Sequence, residues 1–324
     1  MIFFWFGFIL LILVLLALDL GVFHRKMHRI SSREAILWTI FWIFLGLLFN
    51  VFIYYAYSNH WLGIGESLHH VQSGDEAALK YFTGYIIEKS LSLDNIFVIA
   101  MIFAYFNVPA LFQHRVLYWG ILGALIMRGV MIIAGIALIN KFSWMIYLLG
   151  ILLIVTALKM LFTRQESIHP DKNLLVRLAR KLYPVTGDYE GSKFFSRIGH
   201  RRAVTPLFLV LLIIESTDVL FAVDSIPAIF AITTDPYIVF TSNVFAILGL
   251  RSLYFALASM MDKFRYLKFS LVFVLAYVGV KMLLSHTYKI PTLLSLGIIA
   301  GMLSIGILVS LLASHHEKKS LKTN

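Results

Sequence analysis

Two acidic pairs stand inside long apolar runs of this chain: Glu88 and Asp94 in Glu88-Lys89-Ser90-Leu91-Ser92-Leu93-Asp94-Asn95-Ile96, and Asp218 and Asp224 in Asp218-Val219-Leu220-Phe221-Ala222-Val223-Asp224-Ser225-Ile226. Both stretches read acid, five residues, aspartate, small polar residue, isoleucine. Glu215 precedes Asp218 by three residues, which on a helix is the same face. An ionised side chain at the centre of a membrane helix costs about 2.5–3.5 kcal/mol, so five lone carboxylates would cost roughly 12–18 kcal/mol if the terms added. That rivals the whole stability of a folded protein, roughly 5–15 kcal/mol. The acids must be paired, hydrated, protonated or holding a cation. The candidate ligand set is Glu88, Asp94, Asn95, Glu215, Asp218, Asp224 and Asn243, with Ser92, Thr217 and Ser225 nearby, and all of it is oxygen. Oxygen shells suit Mn²⁺, Mg²⁺ or Ca²⁺, whereas zinc and copper favour imidazole or sulfur. The chain has no cysteine, and its eleven histidines lie in loops or at the ends of apolar runs.

Five basic residues, Lys89, Arg128, Lys159, Arg251 and Lys281, share the apolar runs with these acids. Structural ion pairing is therefore the plain alternative to a cation path. Depth weakens it, because Lys159 and Lys281 lie near the ends of their runs and are expected to snorkel to an interface. Arg128 and Arg251, with Lys89, are the residues expected to pair with the acids or to gate them. A surplus of buried negative charge then remains for a mobile cation. Glu88, Ser92 and Asn95 share one helical stripe, while Asp94 points about 120° away. A facing helix must complete the site, or the chain must unwind locally; Pro227 either frees a carbonyl or only kinks its helix. Neither His-Glu-x-x-His nor Gly-x-Ser-x-Gly occurs, and no enzymatic activity and no resident cofactor are expected.

The elements that must hold these residues are membrane helices. Of the 324 residues 60 % are hydrophobic and 14 % charged, and apolar runs of membrane length leave no room for a soluble domain. Nine spans are predicted, at about 2–23, 35–57, 81–105, 116–139, 144–162, 206–232, 237–259, 266–284 and 293–312. The first lacks a basic leader and a small-residue cleavage site, and a retained helix is expected. Twenty of the 28 Lys and Arg residues fall in one set of alternate loops and three in the other. This places the N-terminus outside and the C-terminus in the cytoplasm. The net charge of +11 is thus a sorting signal beside anionic lipid and implies no nucleic-acid partner. Loop 163–205 is the long basic segment, and residues 174–182 within it form an amphipathic stretch suited to a membrane surface. Gly297 and Gly301 are expected to pack closely against a neighbouring helix, with a dimer seam as the alternative.

Spans three to five and six to eight echo one another. Besides the acidic pairs, Gly123 with Arg128 resembles Gly249 with Arg251, and Lys159-Met160-Leu161 returns as Lys281-Met282-Leu283. An odd number of helices per unit makes this an inverted repeat. The expected fold class is an all-α polytopic bundle forming a single transmembrane domain over 1–324. Its parts are repeat unit 81–162, basic loop 163–205 and repeat unit 206–284. The inversion puts Glu88 and Asp224 at similar depth, with Asp94 and Asp218 roughly 9 Å deeper at ~1.5 Å per residue.

The segments Glu88–Val98, Glu215–Phe230 and Thr241–Arg251 closely resemble the signature helices of the TerC family, and the chain as a whole is similar to its Alx-like branch over residues 10–312. The resemblance implies a multi-pass protein of the bacterial cytoplasmic (inner) membrane that exports manganese, with a link to tellurite and alkaline stress. It also implies that Glu88, Asp94, Glu215, Asp218 and Asp224 carry the metal. Proton antiport is the expected coupling, since alkaline conditions strip protons from carboxylates and favour metal. A non-transporting scaffold for stress-response partners, docking through loop 163–205, is the alternative. The sequence leaves the choice among Mn²⁺, Mg²⁺ and Ca²⁺, the stoichiometry and the oligomeric state open.

Overall fold

A computed structural model of the chain describes residues 2–21, 31–67, 70–162, 173–199, 201–257, 267–285, 287–288 and 290–323. His69, the basic residues between 24 and 30, and those between 258 and 266 lie outside the described residues. The protein is a polytopic helix bundle, and each apolar run falls on helix: α1 (Ile2–Gly21), α2 (Ser32–Ser58), α3 (Gly74–Tyr105), α4 (Ala110–Lys141), α5 (Met145–Phe162), α7 (Pro206–Phe230), α8 (Pro236–Leu248) with α9 (Leu250–Leu257), α10 (Leu267–Leu284) and α11 (Thr292–Thr323). The amphipathic stretch is α6 (Leu174–Leu182), and two short antiparallel hairpins pair β1 (Glu66–Ser67) with β2 (His70–Val71) and β3 (Phe195–Ile198) with β4 (Arg201–Val204). By length and composition six elements can cross a membrane: α2, α4, α5, α7, α8 with α9, and α11 over Thr292–Ser310. The apolar parts of α1 and α10 are shorter, and α3 carries Glu88, Lys89 and Asp94 in its middle.

Helix starts follow local chemistry. α3 begins seven residues before the predicted span because the Ser73 hydroxyl accepts the Glu76 amide at 3.2 Å, and Asp75 and Glu76 favour the positive end of the helix dipole. Pro206 and Pro236 open α7 and α8, where a missing N–H does no harm. Asp235 caps α8 by accepting the amides of Tyr237 and Ile238 at 2.9 and 3.2 Å and also receives the Tyr57 hydroxyl at 2.9 Å. α7 runs unbroken through Pro227. The seventh predicted span is instead broken at Gly249, into α8 and α9.

α8 with α9 forms the centre of the bundle: 83 % of its apolar 18-residue stretch is buried, against 17 % of that of α5 and 33 % of that of α7. Around it α3 packs on α7, α4 on α8, and α5 along α10. α5 and α10 run antiparallel and meet at Gly150 and Gly279, each of which faces the carbonyl of the other. α1 docks through ring contacts of Trp5 and Phe8 with Tyr237 and Phe240. Large apolar side chains such as Ile126, Ile133, Leu220 and Leu308 face outward, as lipid contact requires. Gly297 and Gly301 depart from expectation, since an added Cβ at either would meet nothing within 4 Å. That stripe of α11 packs on no other part of the described chain.

Candidate functional site

Arg128, on α4, is the centre of the site. Its side chain is only 2 % exposed, and its guanidinium lies between α3, α7 and α8. Nη1 donates to Glu88 Oε1, to Ser225 Oγ at 3.1 Å and to Asn243 Oδ1 at 3.0 Å; Nη2 donates to Asp218 Oδ1 at 3.2 Å. Helical periodicity explains who takes part. Asp218 and Ser225 are seven residues apart and share a face of α7, while Asp224 is six from Asp218 and points about 120° aside. On α3 the same spacing groups Glu88 with Ser92 and Asn95, all three buried. Asn243 is fixed by its own amide, which donates to the carbonyl of Val239 at 3.2 Å.

Two carboxylates share one guanidinium, which leaves one formal negative charge when both are ionised. Glu88 Oε2, Asp218 Oδ2, Ser92 Oγ and Arg128 Nε are all buried and have no hydrogen-bond partner among the described residues. A buried acceptor without a partner forfeits about 1–3 kcal/mol, and more when it is charged. The cluster therefore keeps carboxylate oxygens that the arginine does not use. No group of three or more Asp, Glu or His side chains arranged to hold a metal occurs among the described residues. Only two of the described carboxylates, Glu88 and Asp218, converge on the guanidinium.

The remaining predicted residues lie apart from this cluster. Asp224 turns to α5, where its Oδ1 accepts the Thr156 hydroxyl at 2.9 Å. Glu88 therefore meets Asp218, not the Asp224 that depth alone had matched to it; depth ignores the direction in which a residue leaves its helix. Glu215, half-buried, lays its carboxylate against Gly123 of α4 at a point where a Cβ would overlap it. Asp94 is half-buried, beyond Glu88 on α3. Lys89 donates to the carbonyl of Ala246 in the last turn of α8 at 3.1 Å and makes no ion pair among the described residues. Arg251 is buried, and its Nη1 lies 3.3 Å from His114 Nδ1. Lys159 is exposed, and Lys281 is 7 % exposed at the wall of a cavity at the end of the bundle. Thr156 carried no sequence signal, for a threonine in an apolar helix ordinarily bonds its own backbone.

The Gly123 contact gives a test of Glu215. Gly123→Ala is expected to change thermal stability by no more than about 1 kcal/mol, because the end of a flexible side chain can yield. The same change displaces the Glu215 carboxylate and should reduce any transport that uses it several-fold. Unfolding temperature and transport, measured on one purified variant, separate the two effects.

The sequence model of the "Integral membrane protein TerC family" matches residues 73–319. The chain is 47 % identical over 316 residues to the membrane protein STKORF319 of Myxococcus xanthus, covering 98 % of this chain and 94 % of that one. It is 41 % identical over 319 residues to a Salmonella typhi protein named as a candidate membrane-bound redox modulator, Alx, with 98 % and 97 % covered. An Escherichia coli protein with the same name is 40 % identical over 321 residues, again with 98 % and 97 % covered. No solved structure matches the chain.

Proposed function

The chain belongs to the TerC family of integral membrane proteins, and from that premise we propose that it is a transporter exporting a divalent metal cation, Mn²⁺, across the bacterial cytoplasmic membrane. One observation carries the reading: two buried carboxylates are held by a single arginine with an oxygen of each left over. In this proposal Arg128 stands in for the cargo. When Mn²⁺ arrives, the guanidinium withdraws and Glu88, Asp218, Ser225 and Asn243 offer a hard oxygen shell. When the metal leaves, the arginine returns, so the carboxylates are never left bare in a dry interior. Protons serve as the counter-ion, and neither an enzymatic activity nor a resident cofactor is required.

The chain crosses nine times, with its N-terminus outside, and works by alternating access between units 81–162 and 206–284. Packing supports this: the first, second and third helices of one unit touch their counterparts in the other, α3 on α7, α4 on α8 and α5 on α10. The acids at matching places in the repeat, Glu88 and Asp218, meet on one guanidinium. A redox role such as the relatives' names carry would pass through metal supply here, because there is no thiol to oxidise. The scaffold reading finds support in α6, which exposes Leu174, Leu178 and Leu182 beside its basic residues.

The test measures manganese retained by cells lacking their own exporters. Wild type should lower it, and Glu88→Gln and Asp218→Asn should abolish that effect at equal membrane levels by blot. Asp94→Asn and Asp224→Asn test whether the outlying acids also belong to the path. If all four variants export like wild type while deletion within loop 163–205 removes the phenotype, the scaffold reading replaces this one.

A further inference from the structure

At the bundle end formed by the start of α3, the end of α7 and the end of α10 lies a cavity of about 750 Å³ that the proposed cation path does not use. Three of its lining side chains are polar groups left without a partner. Lys281 is 7 % exposed and makes no salt bridge or hydrogen bond among the described residues. Gln72, also 7 % exposed, has an unpartnered Nε2, and Ser285 has a buried, unpartnered Oγ. Their placement is built by the fold. The Gln72 amide donates to the Gly65 carbonyl at 3.1 Å and closes the β1–β2 hairpin over the cavity. Gly65, just before β1, has φ 78°, and a Cβ there would also press on the Tyr57 ring at 2.8 Å.

The two other charged side chains that line the cavity, Lys80 and Asp235, already have partners. Lys80 Nζ donates to Glu76 Oε1 at 2.6 Å. Asp235 spends its oxygens on the α8 amides and on Tyr57. An ammonium, an amide N–H₂ and a hydroxyl thus line one cavity, and among the described residues the Asp235 carboxylate on its wall makes no salt bridge or hydrogen bond with any of them; an ammonium held away from bulk water without a partner is disfavoured. Past residues 290 and 292, which line the cavity, Pro291, Leu293, Leu294 and Ile298 line an apolar groove on α11.

We propose that this cavity binds a phosphate group, free or at the head of a phospholipid whose chain follows the α11 groove. A phosphate has enough acceptor oxygens to meet all three donors at once, and its charge neutralises Lys281. The site is independent of the transported cation, and its test needs no transport assay.

The full chain, purified in detergent, is titrated with inorganic phosphate or with phosphatidylglycerol against chloride at matched ionic strength, and thermal unfolding is followed. Native mass spectrometry detects retained lipid. Wild type should be stabilised by phosphate, by the lipid or by both, and the responding arm identifies the source. Lys281→Gln should bind about tenfold more weakly, the loss of one charge-assisted hydrogen bond, while its ligand-free unfolding temperature does not fall. If Lys281→Gln fails to fold, Gln72→Leu should show the same weakening. The proposal is overturned if neither ligand stabilises wild type beyond chloride, or if the variants respond as wild type does.

Discussion

Replacing Arg128 with methionine should lower stability by about 3–5 kcal/mol, the usual result of removing one partner from a buried ionic cluster. The loss comes from Glu88 and Asp218, which would keep their charges in a dry interior with nothing opposite. The triple variant Arg128→Met, Glu88→Gln, Asp218→Asn should recover most of the difference, because the amides are neutral and of the same shape. Thermal unfolding in one detergent gives both numbers. Adding Mn²⁺ turns the comparison into a test of the site. The single variant should be stabilised by the metal, which can take the position that the guanidinium vacates, and the triple variant should not respond. Equal responses in both would show that manganese binds elsewhere.

The second large effect concerns helix packing. Gly279→Val should destabilise by about 3 kcal/mol, since a new side chain must find room in a filled interface. A Cβ at this position would stand 2.8 Å from the Gly150 carbonyl oxygen and 2.8 Å from Ile154 Cγ1. A backbone carbonyl cannot swing away, so α5 and α10 would have to separate. Gly297→Val is the control: nothing stands within 4 Å of a Cβ there, and its effect should stay within about 0.5 kcal/mol. If both substitutions cost the same, the close approach of α5 and α10 does not hold the bundle together. Small residues let membrane helices come close only where a partner helix is present, and sequence spacing alone does not say whether one is.

That difference marks how far the sequence can be read. Apolar runs located every long helix, because hydrocarbon length imposes a period that hydropathy detects. The start of α3 escaped, since Asp75 and Glu76 lower hydropathy while stabilising the first turn. Glu88, Asp218, Asn243 and Arg128 stood out in the sequence as polar residues inside apolar runs, and the fold brings all four together. Their shared guanidinium was not: the repeat compares depths and says nothing of angle, although the seven-residue step from Asp218 to Ser225 was there to be read. Lys281 looked free to snorkel because its distance along α10 is local information. Gly65 and Gln72, which line the same cavity, stand about 200 positions earlier in the chain, and no window on α10 contains that fact.

Lys89 and Glu88 are neighbours on one rigid helix, yet they hold different things: the ammonium grips the final turn of α8 just before the break at Gly249, and the carboxylate grips the guanidinium. A rotation of α3 large enough to release one must strain or release the other. The two side chains leave α3 about 100° apart, so turning α3 about its axis moves the contact with α8 and the contact with α4 together.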